Sequence, residues 1–291
     1  MSSKIDRLRI VSMNAAGRNG RKFVLQHLIE KEKPEIVFLP GDNSDNSGLD
    51  TLTQTRYNHL LDPAFNEPVF LYDSTRLKVN QLPARSQSSH PVCDFDRVLA
   101  PLIDINSPAP AQNVVKQFIC VNWHRRLSEN GGSQVLYENG RMYLMFAQNL
   151  AYFTGKEVLI GGDFNLPPSK IKELIEEHNS LIQQGIDSVK PQFKKFGYMY
   201  CMTEEILRPE RRLRQLKLHK SNSFNSTETN YFVASKEMQL LETRHEKMES
   251  LSYRYTSLQL QARQKTDSCP EPTYTKTQMY IPQRPPKHHG G

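Results

Sequence analysis

The segment Val158-Leu159-Ile160-Gly161-Gly162-Asp163-Phe164-Asn165 combines the pattern of a buried strand with two polar side chains at its end. Three apolar residues predict the strand, and two glycines allow a sharp turn where it finishes. In an extended chain, Asp163 and Asn165 would point to the same side. An aspartate can accept a proton or orient water, and an asparagine amide can donate to a phosphoryl oxygen. The alternative is an Asx turn that caps the next helix.

Apolar residues on both sides of this segment alternate between strand-like runs and helical spacing. Residues 8–13 and 36–39 predict buried strands, and the spacing between residues 23 and 29 predicts a helix between them. A strand, a helix and a strand in this order are typical of a crossover unit in an α/β protein. Further strands are predicted at residues 69–72, 97–103, 118–121, 231–233 and 255–260, and further helices at 143–153 and 167–182.

Polar residues follow several of these predicted strands in a recognisable order. Asn14 follows the first strand, Asn122-Trp123-His124 ends a later one, and Gly162-Asp163-Phe164-Asn165 ends the next. This series resembles the endonuclease/exonuclease/phosphatase superfamily, which includes deoxyribonuclease, apurinic-site and retroelement endonucleases and inositol phosphatases. The resemblance extends from about residue 8 to about residue 260. It implies a four-layer α/β sandwich, in which two packed mixed β-sheets are flanked by helices and the site lies at strand ends between the sheets.

The resemblance also implies a role for each matching residue. His124 and Asn165 would contact the phosphate, and Asp163 would orient the attacking water. Asn14 would lie near the metal, and Asp42 is the carboxylate available to help it hold Mg²⁺.

Three positions depart from the pattern that the resemblance implies. The second strand would normally end in Leu-Gln-Glu with a metal-binding Glu, but Gly41 stands there and Asp42 is one residue further along. Asn230 stands where an Asp-Tyr-Ile segment would carry its carboxylate. The terminal Ser-Asp-His, which supplies the general base, is best matched by residues 252–256, which contain neither Asp nor His.

These departures leave three interpretations open. We favour a pseudoenzyme that binds a phosphate-bearing ligand, such as nucleic acid, with little or no hydrolysis. The second is an active, Mg²⁺-dependent phosphodiesterase or endonuclease that uses Asp163, Asn165 and His124. The third is an α/β sandwich in which the surviving polar residues are only structural.

Positive charge is concentrated in one part of the chain. Residues 186–220 contain nine Lys or Arg and four acidic residues, a net +5 within a total of +7. Such clusters are typical of proteins that bind phosphate chains, although a solvated helix face explains the charge equally well. Helical spacing from residue 208 to 220 predicts a basic helix whose candidate phosphate contacts are Arg208, Arg211, Arg212, Arg214 and Lys217.

Composition sets the remaining expectations. The chain has 291 residues, 37% of them hydrophobic, which is enough for a large core. No apolar run reaches the roughly 18 residues of a membrane span, and the first residues lack the apolar stretch of an export signal. Four scattered cysteines do not indicate a disulfide framework, so we expect an intracellular protein, cytoplasmic or nuclear. Residues 1–261 are predicted to form the domain, and 262–291, with five prolines, a disordered tail. Nothing in the sequence indicates the oligomeric state.

Overall fold

The structure is a computed structural model that describes residues 7–13, 21–40, 56–61, 69–81, 98–105, 117–124, 133–195, 213–219, 230–247 and 273–280. Its helices are α1 (Arg21–Glu32), α2 (Ser133–Thr154), α3 (Pro168–Gln183) and α4 (Ile186–Lys195). Its strands are β1 (Arg7–Ser12), β2 (Ile36–Leu39), β3 (Tyr57–Leu61), β4 (Val69–Asp73), β5 (Leu77–Gln81), β6 (Val98–Leu99), β7 (Pro101–Ile105), β8 (Gln117–His124), β9 (Glu157–Asp163), β10 (Leu216–His219), β11 (Asn230–Ser235), β12 (Gln239–Lys247) and β13 (Thr273–Tyr280). None of the described helices has both the length and the apolar character needed to cross a bilayer.

The strands form two mixed sheets. The six-stranded sheet has the order β12-β13-β1-β2-β4-β3. The seven-stranded sheet has the order β10-β11-β9-β8-β7-β5, with β6 paired to β8. In each sheet one pair is parallel, β1 with β2 and β8 with β9, and the chain between the paired strands contains α1 and α2, respectively. The predicted crossover unit at the start of the chain is therefore confirmed.

Three apolar layers hold the sheets and helices together. The layer between the sheets contains residues of both, such as Ile10, Phe38, Cys120 and Phe232. A second layer packs α2, α3 and α4 on the outer face of the seven-stranded sheet, and a third packs α1 on the outer face of the six-stranded sheet. The predicted four-layer α/β sandwich is confirmed.

The C-terminal tail is not a disordered segment throughout, so the predicted domain boundary at residue 261 is wrong. Residues 273–280 form β13, which pairs with β12 on one side and β1 on the other. Thr275 and Thr277 are buried, because threonine packs well in a strand despite its polarity. The prediction gave too much weight to prolines and polar composition. The predicted strand at 255–260 lies outside the described residues.

The basic segment was also predicted wrongly where the structure describes it, because residues 216–219 are strand β10 and not helix. Two carboxamides, one from α2 and one from α3, hold the backbone of residues 214–216 in its extended conformation. Asn179 exchanges hydrogen bonds of 2.8 Å with the backbone N and O of Leu216. The side-chain amide of Gln148 accepts a hydrogen bond from the backbone N of Arg214 at 2.8 Å and donates one to its backbone O at 2.9 Å. These side chains cover an edge that would otherwise expose unpaired backbone groups.

The position of β13 leads to the first prediction. A chain truncated after residue 261 should not fold, since it loses the strand between β12 and β1 in the middle of a sheet. A chain truncated after residue 283, which keeps β13, is the matched control and should unfold cooperatively. Circular dichroism with urea titration measures both. A cooperative transition in the shorter chain would contradict the assignment of β13.

The second prediction concerns His178 on the buried face of α3. Burial lowers the pKa of His178 to about 4, below the usual 6.5. Below pH 6.5 the unfolded chain binds a proton that the folded chain excludes, so stability falls as the pH drops from 6.5 to 4. The loss from this group should approach about 3 kcal/mol. Urea unfolding at pH 7 and 4.5 should show a smaller loss of stability for His178→Leu than for the wild type.

Candidate functional site

Three neighbouring strands of the seven-stranded sheet place one polar residue each in a row at their ends. In the strand register, His124 of β8 lies beside Asp163 of β9, and Asp163 lies beside Asn230 of β11. Side chains alternate faces along a strand, and Leu159 and Phe232 on the same face belong to the layer between the sheets. His124, Asp163 and Asn230, hereafter the strand-end row, therefore face the space between the sheets.

The facing sheet adds hydroxyl groups at the same end. Ser12 of β1 pairs with Thr275 of β13, and both are buried. Thr275 Oγ1 donates to the backbone O of Asn230 at 3.0 Å, which ties the two sheets together beside the row. Asn122 makes a second tie, since its Nδ2 donates to Val69 O at 2.7 Å. The layer between the sheets is thus apolar along most of its length and polar at this end.

Asp163 begins a tight turn within the candidate site. Its Oδ1 accepts a hydrogen bond of 3.0 Å from the backbone N of Asn165, which has a left-handed φ of 45°. Asparagine tolerates this conformation better than most residues. The Asx turn that the sequence left open is therefore present, but it does not cap the next helix, whose N-cap is Pro167 without a side-chain hydrogen bond. The turn occupies one carboxylate oxygen of Asp163, which is only 4% exposed.

Gly161 and Gly162 lie inside strand β9, which continues through both to Asp163. They therefore allow close packing within the strand. Gly162 has φ 137°, and a Cβ there would lie 2.0 Å from the backbone O of Trp123. A Cβ at Gly161 would lie 2.9 Å from Phe232. The expected sharp turn comes only after the strand, at Asn165.

Aromatic rings support the strand-end row from the opposite face of the sheet. Phe164 stacks on Tyr231 with ring centroids 4.3 Å apart, and it meets Trp123 edge-on at 4.6 Å. Each of these rings adjoins a row residue in sequence. The hydroxyl of Tyr231 also donates to Leu166 O at 2.9 Å, which fixes the chain beyond the turn. The polar row is therefore held by a packed aromatic layer.

The structure brings together His124, Asp163 and Asn165 of the predicted site, whereas Asn14 and Asp42 lie outside the described residues. It adds polar residues to which the sequence gave no role: Ser12, Asn122, Asn230 and Thr275. Asn122 lies two residues before His124 and Ser12 two before Asn14, so strand alternation was a signal that could have found them. The side-chain oxygens of Ser12, Asn122 and Asn230 are buried without a hydrogen-bond partner among the described residues.

The described residues at this end do not by themselves complete a Mg²⁺ site, and the candidate ligands Asn14 and Asp42 lie outside the described residues. Mg²⁺ in proteins is usually bound through one or two carboxylates with near-ideal octahedral geometry. Among the residues that the structure describes, Asp163 supplies a carboxylate at this end, and its Oδ1 accepts a hydrogen bond from the backbone N of Asn165. No group of three or more His, Cys, Asp or Glu suited to a metal occurs within the described part of the chain. The amide and hydroxyl groups at this end can form hydrogen bonds with a polar ligand.

Arg214 cannot be the exposed phosphate contact that was predicted. Its side chain is 2% exposed, with Nε 2.8 Å from Glu157 Oε1. Its guanidinium also donates to Gly155 O at 2.8 Å. Lys217 of the same segment is exposed, and Arg208, Arg211 and Arg212 lie outside the described residues. The leucine spacing predicted a helix, but this part of the chain is extended. Arg214 and Leu216 are buried, and Lys217 is exposed.

Comparison with solved structures identifies the fold. An endonuclease/exonuclease/phosphatase family protein from Bacteroides thetaiotaomicron aligns with a TM-score of 0.55 at 9% identity, over 97% of this chain and 100% of that one. A mannosyl-6-phosphatase from the same species gives 0.54 at 9%, over 94% and 100%. The human Nocturnin catalytic domain with bound sulfate gives 0.52 at 13%, over 94% and 95%. No protein-family model and no curated protein matches the sequence. The chain has the endonuclease/exonuclease/phosphatase fold, as its strand-end motifs predicted.

The third prediction separates the two cations of the basic segment. Arg214→Ala should lower the free energy of unfolding by about 3 kcal/mol, since it leaves Glu157 and Gly155 O without their partner. Lys217→Ala, three residues away but exposed, should change it by less than about 0.5 kcal/mol. Urea unfolding measures both. Unchanged stability in Arg214→Ala, with weakened DNA binding, would restore Arg214 as a ligand contact.

Proposed function

We propose that this chain is a pseudoenzyme of the endonuclease/exonuclease/phosphatase fold. It binds a phosphate-bearing ligand, such as nucleic acid, at the polar end of the layer between the sheets, and it performs little or no hydrolysis. The observation that carries the proposal is the strand-end row, in which Asp163 has a histidine on one side and an amide, Asn230, on the other.

The row can bind a phosphoryl group more readily than it can cleave an ester. Amide and imidazole groups donate hydrogen bonds to phosphoryl oxygens, so His124 and Asn165 can hold the ligand. Cleavage requires the activation of water and the stabilisation of developing charge. Asp163 would have to supply both with one carboxylate whose Oδ1 is bound to the adjacent turn.

The sequence near the C-terminus supports the same conclusion. The resemblance implies a general-base histidine in a Ser-Asp-His segment late in the chain. The connection from β12 to β13, residues 248–272, contains no histidine, and Ser268-Cys269-Pro270 shortly precedes β13. A positioned base contributes about 10²- to 10⁴-fold to rate, and uncatalysed phosphate-ester hydrolysis is among the slowest of reactions. Without such a base, turnover should be very low.

The ligand is proposed from charge. Arg208, Arg211, Arg212 and Lys217 remain the candidate phosphate contacts of the basic segment, now without Arg214. Clustered cations of this kind bind nucleic-acid backbones largely independently of sequence. The names of the fold neighbours, a phosphatase and a domain with bound sulfate, agree with an anionic ligand.

The competing function is an active Mg²⁺-dependent phosphodiesterase. The placement of His124 directly beside Asp163 favours it, since this pair is what hydrolysis would use. Asn14 and Asp42 would then have to hold the metal. We propose that they do not, because Asp42 is offset by one residue from the expected ligand position.

The fourth prediction tests binding and cleavage separately. The protein should bind fluorescent oligonucleotides with the same affinity in EDTA as in Mg²⁺. His124→Ala and Asn165→Ala should each weaken binding by about tenfold, the effect expected for one hydrogen bond to a charged group. Gel assays with Mg²⁺ or Mn²⁺ should show negligible cleavage of plasmid, abasic or single-stranded DNA.

The matched control is Asn58→Ala, an exposed polar residue of β3 on the other sheet, which should leave binding unchanged. Cleavage that is abolished by Asp163→Ala would show an active enzyme and refute the pseudoenzyme. An absence of oligonucleotide binding in the wild type would refute nucleic acid as the ligand.

A further inference from the structure

His219 of β10 extends the polar end of the layer between the sheets to a fourth strand. It pairs with Phe232 of β11 in the strand register, and Phe232 belongs to the layer between the sheets. Leu218, the residue before it, packs with the helices on the opposite face of the sheet. Because side chains alternate along a strand, His219 faces the same layer as the strand-end row.

His219 and Asn230 each have a buried polar atom without a hydrogen-bond partner among the described residues. These atoms are Nε2 of His219 and Oδ1 of Asn230. In the antiparallel pair of β10 and β11, His219 lies opposite Phe232, so Asn230 is its diagonal neighbour on the same face. Diagonal neighbours have Cα atoms about 7–8 Å apart. A ligand group between the two side chains can therefore reach both.

Neighbouring strands hold Asn230 in place for such a ligand. Its backbone O accepts a hydrogen bond from Thr275 Oγ1 at 3.0 Å, and it pairs with Asp163 of β9. Its side chain is only 9% exposed. Buried polar groups are normally paired in native proteins, so two unpaired atoms at one place indicate a site for a polar group from outside the chain.

The chemistry of this pair favours an anionic oxygen as the bound group. An imidazole N–H and an amide N–H both donate hydrogen bonds, and neither side chain brings a negative charge. Lys217 lies two residues before His219 on the same face of β10, and it is exposed. Two residues along a strand span about 6.6 Å, which a lysine side chain can bridge. A phosphate group at His219 and Asn230 would therefore have a cation on its solvent side.

The distance between β8 and β10 separates this pair from the phosphate contacts proposed above. Neighbouring strands lie about 4.8 Å apart, so the three steps from β8 through β9 and β11 to β10 span about 14 Å. One phosphate group on His124 and Asn165 cannot also contact His219 across this span. Contact at both places requires a ligand with more than one phosphate.

We propose that His219 and Asn230 hold a second phosphate of the ligand, while His124 and Asn165 hold the first. The inference rests on the proposed function and names the class of ligand, which is a chain of phosphodiesters and not a molecule with one phosphate. Packed sheets lie about 10 Å apart, whereas the major groove of duplex DNA alone is about 12 Å wide. A single strand of nucleic acid is therefore the chain that this end of the layer accepts.

Fluorescence anisotropy with a labelled ten-nucleotide DNA single strand in EDTA tests the proposal. His219→Leu should raise the dissociation constant about tenfold, the effect expected for one hydrogen bond to a charged group. His219→Gln, which keeps an amide donor, should bind more tightly than His219→Leu. Asn230→Asp should also weaken binding, because it places a second carboxylate beside Asp163 and repels the phosphate.

A ligand with one phosphate provides the second measurement. A nucleoside monophosphate, titrated into ¹⁵N-labelled protein, should bind to His219→Leu as it binds to the wild type, because it uses His124 and Asn165. The matched control is His59→Leu, on β3 at the end of the strand order of the other sheet. His59 also has a buried Nδ1 without a partner in the described part of the chain, and this variant should leave both titrations unchanged.

The outcomes separate the inference from the proposed function. Unchanged binding of the single strand by His219→Leu would overturn the inference alone. Equal weakening for the single strand and the monophosphate would also overturn it, since it would place His219 at the first phosphate, and so would tighter binding of duplex than of single-stranded DNA. A wild-type protein that binds no oligonucleotide would instead refute the proposed function.

Discussion

The parallel contact between β8 and β9 at Gly162 is the constraint on which the rest of the site depends. A Cβ at this position would lie 2.0 Å from the carbonyl oxygen of Trp123, and the backbone has a φ of 137°. Only glycine meets both conditions without strain. This close approach sets His124 beside Asp163, and the pairing of β9 with β11 then adds Asn230. One residue without a side chain therefore positions three that carry polar groups.

Because side chains alternate along the strands, aromatic residues lie on one face of this end of the sheet and polar residues lie on the other. Trp123, Phe164 and Tyr231 pack against one another beneath the helices, while their sequence neighbours face the layer between the sheets. The aromatic face contributes a large buried area, and the polar face contributes little to the core. Because the aromatic face stabilises the fold and the polar face adds little to the core, the polar residues can change while the fold remains. This separation explains how the fold aligns with proteins that share only 9–13% of its sequence.

The sequence predicted elements whose pattern is decided locally and missed those decided by distant contacts. Residues 36–39 and the helix after Pro167 have clear apolar spacing, and both are confirmed. Strand β13 was missed because its threonines look polar, whereas pairing with β12 and β1 places Thr275 and Thr277 in the buried layer between the sheets. Strand β10 was missed because its conformation depends on carboxamides from α2 and α3. For the candidate site, strand-end motifs identified His124, Asp163 and Asn165. Ser12 and Thr275 lie beside them only because the two sheets pack face to face, which the sequence pattern does not show.

The basic composition of the chain is a poor measure of its ligand-binding charge, because part of that charge neutralises buried carboxylates. Glu35 and Asp73 are at most 2% exposed, at the end of the six-stranded sheet opposite the candidate site, and arginines pair with both. Arg214 also pairs with a carboxylate, although here the arginine is the buried partner and Glu157 is 23% exposed. Removing an arginine from such a pair leaves a buried charge without compensation, so these arginines are required by the fold whatever the protein binds. The cations available to a ligand are those that pleating, bulges and edges leave facing solvent, which a net charge of +7 cannot distinguish from the rest.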